Sequence, residues 1–249
     1  MAKEIVKKGP AALSVVEQEI LAEAKADAAL FQQGTARISL KGGVISVDGN
    51  KVRDNKLVVA IISAVFGKAY YTGEFDPEVP QTPVCYGFSA VKPDAIVPHD
   101  ASPEKQAAAC LGCKHNKFGT AERGGGKRCK DEIRLMVVAP TAVDGNDVTG
   151  EVRMLTIPPG SLANWGKYVA RLADMGGTFR SVLTEVSIEP YKGAYKVAFN
   201  PAGKLSDEAY LALKARRETA QEQSMQPYPA LEEDNRPRRA SKQARKKLD

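Results

Sequence analysis

The sequence predicts a mainly β protein with flanking helices (α+β), its strands closing into one small barrel. Three observations predict this class. Stretches of period-two alternation, such as Arg37-Ile-Ser-Leu-Lys41 and the run 178–189, recur between Gly- and Pro-containing turns. Only one helix-period segment, 161–175, lies among the strands, whereas a βαβ sheet alternates helix and strand throughout. All four cysteines fall in one segment, 85–129, too poor in apolar residues to build a core of its own.

Residues 1–34 read as an N-terminal arm and helix. The arm is charged and ends at Gly9-Pro10; Ser14-Val-Val-Glu17 then fits a capping box. Val16, Ile20, Ala24 and Ala28, flanked by Leu13 and Leu21, form an apolar stripe that runs out before Gly34. Strands follow from Ala36, with Gly42-Gly43 and Asp48-Gly49-Asn50 as turns. The long apolar run 57–71 is rich in β-branched and aromatic residues, so it reads as a strand in which Gly67 marks a bulge or bend. Residues 75–83, with three prolines, make a rigid loop, and 84–88 a short strand. Beyond the cysteines, 133–139 and 150–157 read as strands. Ser161 caps a helix that ends before Gly176-Gly177, with Leu162, Trp165, Val169 and Leu172 on its buried face. Trp165 reads as a core residue, as do Phe66, Phe179 and Phe199. Strands 178–189 and 194–199 close the series, Asn200-Pro-Ala-Gly203 breaking the second. A last helix spans 206–220. A helix between the third and fourth strands is the slot a five-stranded OB-type barrel provides. The expected organisation is therefore an OB-like barrel over 35–200, a C-terminal helix over 201–223 and a disordered tail over 224–249.

Cys110-Leu-Gly-Cys113 is a knuckle in which two thiolates can face one point. With Cys85 upstream and Cys129 downstream, these four side chains make a tetrahedral zinc site the expectation for loop 85–130. A set of three cysteines and one histidine, drawn from His99 or His115, is the main variant, although His115 lies so close to Cys113 that a place just outside the coordination sphere suits it better. A thioredoxin-like redox pair would need the CxxC to enter a helix, and basic, Gly-rich sequence follows instead. Disulfides need an oxidising compartment, and the N-terminus lacks the apolar core of a signal peptide. No apolar run approaches the length of a membrane span. The expected location is the cell interior.

The formal charge of +6 is concentrated in the tail. Residues 236–249 hold seven basic side chains and one acid, leaving 29 of each sign in the remainder. A binding face must come from local segregation, and one segment shows it: seven basic residues lie between Lys114 and Arg134 against three acids. Single-strand binders combine a cationic groove with aromatic faces. The candidate contacts are accordingly Lys114, Lys117, Phe118, Arg123, Lys127, Arg128 and Lys130, with Tyr70, Tyr71 and Tyr86 on adjacent strands. No GxSxG, HExxH, GxGxxG or phosphate-loop pattern occurs, and with two histidines acid–base catalysis has few candidates, so the expectation is a protein that is not an enzyme. Two other readings stay open: a zinc-containing interaction or transcription-regulating factor whose basic tail alone touches nucleic acid, and a metal-dependent nuclease hinted at by His115-Asn116.

Pro83-x-Cys85, Cys110-x-x-Cys113-x-x-Asn116-x-Phe118-Gly119 and Gly124-Gly-Gly-Lys127-x-Cys129-Lys130, with Ser161-x-x-x-Trp165-x-x-Tyr168 and Gly193-x-Tyr195 further on, together resemble phage-type single-stranded DNA-binding proteins over residues 35–200. The resemblance implies an OB barrel, zinc on the four cysteines, single-stranded DNA on the barrel face, and partners among replication or recombination proteins. Such proteins often end in an acidic tail; here the tail is basic, with one short acidic cluster at Glu232-Glu233-Asp234.

Overall fold

The computed structural model describes Val16 and residues 36–73, 81–122, 124–140 and 146–228. The rest of the predicted N-terminal helix, most of loop 75–83, Arg123 and the tail from 229 lie outside the described residues. By contacts the chain divides into residues 1–35 and residues 36–249. Val16 is helical and exposed.

The second unit is mainly β, a curled half-barrel sheet with a few helices. Its described strands are β1 (Arg37–Ser39), β2 (Ser46–Val47), β3 (Asn50–Lys51), β4 (Lys56–Tyr70), β5 (Cys85–Ser89), β6 (Cys129–Val138), β7 (Val152–Ile157), β8 (Val182–Tyr191) and β9 (Ala194–Lys204). They run in the order β3-β2-β1-β7-β6-β4-β8-β9, with β5 also on β4. Among the described residues, only β1 and β7 pair in parallel. The helices are α1 (Leu162–Asp174), α2 (Asp207–Ala215) and α3 (Arg217–Ser224). None among the described residues is long and apolar enough to cross a membrane.

β4 is the spine. Its first half pairs with β8, its second half with β5 on the same edge, and β6 runs along the other edge. Alternation divides its side chains between two cores. One core takes Val59 and Ile61 with Ile133, Leu135, Val137, Leu155, Val186 and Val197, and α1 closes it with Trp165, Tyr168 and Leu172. Trp165 packs against Tyr168, Phe179 and Phe199 with ring centroids 5.2–5.8 Å apart, so it is the core residue its stripe predicts. The other core, on the opposite face, takes Ala60, Ile62, Met136, Val138, Met154 and Leu183 under α2 and α3.

The β4–β6 register slips between Ile61 and Ser63. A bulge there, where Ile62 adds a residue, reverses the parity of β4, so that Ala64 and Phe66 join the core that Val59 and Ile61 began. Lys68 and Tyr70 continue that face. The predicted bulge at Gly67 is thus misplaced: Gly67 pairs in register with Glu132, and a Cβ on it would lie 2.8 Å from Glu132 Cγ. The glycine is there to let that side chain cross the strand.

Three further expectations are corrected. Ser161 makes no side-chain cap; its Oγ accepts a hydrogen bond from Val197 N at 2.9 Å, tying the start of α1 to β9. β9 continues through Pro201 to Lys204, because a register shift between Leu183 and Thr184 accommodates a residue with no N–H to give. The helix expected over 206–220 is two helices meeting at Arg216, whose guanidinium leaves the axis to donate to Val148 O and Gly150 O at 2.7 and 2.9 Å. The first residues assigned to the tail, 224–228, pack against the sheet.

Candidate metal centre and nucleic-acid interface

Cys85 opens β5 and Cys129 opens β6, and both stand opposite Tyr70 of β4. The loop between them is fastened to the free edge of β5. His99 N donates to Tyr86 O (2.7 Å), Glu104 N to Val84 O (2.8 Å), and Ser102 Oγ bonds both the N–H and the carbonyl of Tyr86. Cys110 N then donates to Ile96 O at 3.2 Å, which brings the knuckle over the strand ends. Past Cys113 the chain makes one 3-10 turn, Lys114–Asn116, and Asn116 Nδ2 reaches back to Cys110 O at 2.8 Å.

All four cysteines are buried free thiols. They line a single cavity of about 10 Å³ together with Tyr70, Ala109, His115 and Asn116, room for one water-sized body. As placed, no three His, Cys, Asp or Glu side chains among the described residues form a ligating set. The thiols are gathered round the cavity without being drawn onto one point. Burial first, and the neighbouring thiols after it, push Cys110 up to about 11 and Cys129 to about 12, while Lys68 pulls both down. A thiol-binding metal would therefore displace protons on entering.

The two histidines part company. His115 stands at the cavity wall, stacked on Tyr70 with centroids 4.2 Å apart; burial, then Lys114 and Arg128, lower its pKa. His99 stacks on Tyr86 and accepts from Ala101 N through Nδ1, away from the cavity lining.

Beneath the knuckle lies a polar network. Lys68, buried in β4, bonds to Asp131 and to Asn116 Oδ1 (3.1 Å); Lys127 bonds to the same two groups at 2.7 and 3.2 Å. Asp131 is held below the usual carboxylate range by both ammonium groups, against the opposing effect of its burial.

The proposed nucleic-acid contacts separate into groups. Lys114, Lys117 and Lys130 are exposed, and Phe118 is 79% exposed. Lys127 turns inward with its ammonium 5.1 Å from the Phe118 centroid. Arg128 pairs with Glu122 and lies 5.8 Å over Tyr70. Tyr70 and Tyr86 are buried and Tyr71 is half-buried, so the stretch of sheet they occupy presents no open stack of rings.

One cluster has no counterpart in the sequence reading, where Arg134 was counted among the loop cations. Arg134 is 1% exposed, sandwiched between Phe88 (3.8 Å) and Tyr228 (4.5 Å). It pairs with Glu132 at 3.1 Å and donates to Ser224 O and Gln226 O, while Tyr228 OH donates to Glu132 at 2.8 Å. The available signal was a lone charge inside the apolar run Ile133-Arg-Leu-Met-Val-Val. The chain matches no protein-family model, no curated protein and no solved structure.

Proposed function

We propose that this chain binds single-stranded DNA without strong sequence preference and without catalysing a reaction, through a basic loop that a structural zinc pins to an OB-like barrel. The observation that carries the reading is Phe118: an aromatic ring 79% exposed among the exposed Lys114, Lys117 and Lys130, on a loop rooted in four buried thiols. Base stacking on such a ring, with lysines for the phosphates, is how single strands are held without reading their sequence. The order β7-β6-β4-β8-β9, with α1 between β7 and β8, supports an OB-like connectivity.

The donor chemistry fits zinc, since four thiols line one ion-sized cavity. Cys85, Cys110, Cys113 and Cys129 would hold the metal, which would cross-link the loop to β5 and β6 and contribute to folding rather than to turnover. By the resemblance, DNA replication or recombination in a phage-infected cell is the setting, with proteins of those processes as partners.

The deciding measurement is a titration of fluorescent oligo-dT with the full chain and with a variant lacking 236–249, under duplex competition and across a salt series. Tight, salt-sensitive binding by both forms that duplex fails to displace is the expected result. Binding that disappears with the tail, or equal affinity for duplex, would instead favour an interaction factor with an electrostatic tail. Metal-dependent cleavage of the oligonucleotide would mark a nuclease.

A further inference from the structure

The network under the cavity carries more cation than its partners balance. Lys68 and Lys127 bring two ammonium groups to one carboxylate, Asp131, and to the neutral amide of Asn116. Lys68 is nearly enclosed, its side chain 8% exposed, and Lys127 is 19% exposed. A lysine is almost never buried without compensation, and a surplus positive charge inside a protein is costly until an anion meets it. Among the described residues, the ion pairs of these two lysines include no second anion. What lies beside them is the cavity of the four thiols: Asn116 Oδ1 accepts from both ammonium groups while its Nδ2 donates to Cys110 O, and Asn116 itself lines the cavity.

We propose that Lys68, with Lys127 as its outer partner, is the positioning residue that balances the charge of a tetrathiolate zinc centre. This rests on the zinc reading given above and deepens it. A divalent zinc on four thiolates carries two net negative charges, and replacing one thiolate by a histidine removes one of them. A surplus of cation joined to the site through Asn116 therefore favours the set of four cysteines over the set that includes His115, whose ring is already stacked on Tyr70. Asp131 has the opposite duty. It holds Lys68 and Lys127 in place, and its own charge opposes the thiolates, so that only part of the cationic surplus reaches the metal.

Charge and mere structural support predict different things, and three variants of the full chain separate them. Zinc per chain is measured first on reduced protein, and then the chelator concentration that removes half of it. The parent chain should hold one zinc. Lys68→Met, which keeps the length and apolar stem but loses the charge, should give up zinc about tenfold more readily or worse, the usual cost of losing an outer-shell partner. Lys127→Met, nearer the surface, should move the same way by less, and decides the matter if Lys68→Met does not fold. Asp131→Asn should hold zinc as tightly as the parent or more tightly. The cobalt-substituted parent should show the thiolate-to-metal absorption of four sulfur ligands, with no histidine contribution. Zinc retained equally by both lysine variants overturns the inference alone, as does Asp131→Asn losing zinc as readily as Lys68→Met, because the network would then be only a brace. A reduced parent chain that binds no zinc overturns the metal reading and the inference with it.

Discussion

Gly87 and Val97 meet backbone to backbone: a Cβ on Gly87 would lie 2.0 Å from the Val97 carbonyl oxygen and 2.9 Å from Ile96 Cγ2. This contact seats the first part of the cysteine loop on β5, and the hydrogen bond from Cys110 N to Ile96 O, next to Val97, seats the knuckle. Gly87→Ala should therefore act at a distance. Backbone cannot yield as a side chain can, so the loop must lift, at a cost of roughly 3 kcal/mol, the upper part of the overpacking range. Urea unfolding gives that cost. The same variant should lose thiol-bound metal more readily, and unchanged metal retention would show that the knuckle does not depend on this seat.

Cys113→Ser should loosen the loop and leave the sheet intact. Two of the four thiols are placed by β5 and β6 themselves, whereas Cys110 and Cys113 are placed by a loop with few apolar residues. Chelation should lower the melting temperature of the parent chain, and should have little further effect on the variant. A variant that melts with the parent, metal present, would remove Cys113 from the site.

Phe118→Ala should separate binding from folding. The ring is exposed, and among the described residues its cation contact is with Lys127, so stability should change by no more than about 0.5 kcal/mol. Affinity for oligo-dT, read by fluorescence anisotropy, should fall by about 1–3 kcal/mol, the worth of one stacked base. Unchanged affinity would move the binding face elsewhere.

Tyr228 predicts an alkaline transition. Burial first and Glu132 second raise its phenol, and the same two causes lift Tyr71 to about 12. Both folded values lie above the ordinary value near 10. The sign follows: the stability these neutral phenols contribute is complete below about pH 10 and is lost as pH rises through their folded values, about 12 for Tyr71, because the unfolded chain gives up its protons first. Tyr228→Phe should shrink that alkaline loss, followed by tyrosinate absorbance and circular dichroism together. Tyr228→Ala should cost about 3 kcal/mol at neutral pH, because it also uncovers Arg134.

Local patterns were legible where local chemistry decides them. The strand Lys56–Tyr70, the helix Leu162–Asp174 and the Asp48-Gly49 turn follow from period and turn residues, and Trp165 follows from its place on the stripe. What could not be read is parity. The bulge at Ile61/Ser63 decides that Tyr70 faces inward beside Cys85 and Cys129, and a bulge of that kind depends on partner strands far away in sequence. The same holds for Pro201, a breaker in sequence, beside which the register of β9 against β8 shifts by one residue at Ala202. Arg134 looked like one more loop cation because its partners, Phe88, Ser224, Gln226 and Tyr228, lie up to 94 residues away in the chain. The four cysteines were legible as a group because their segment is poor in apolar residues, whereas the backbone hydrogen bonds that fasten the loop to β5 have no signature in the sequence.

Tyr70 stands opposite both Cys85 and Cys129. The entry and exit of the loop are consequently fixed by the sheet, whatever lies between them. Insertions and deletions between the knuckle and Cys129 need not disturb the first or last thiol, since lengthening a surface loop costs little in closure entropy. The scaffold can thus behave as a socket with interchangeable inserts: the same β4 spine could present a longer, shorter or differently charged finger while the sheet stays as it is.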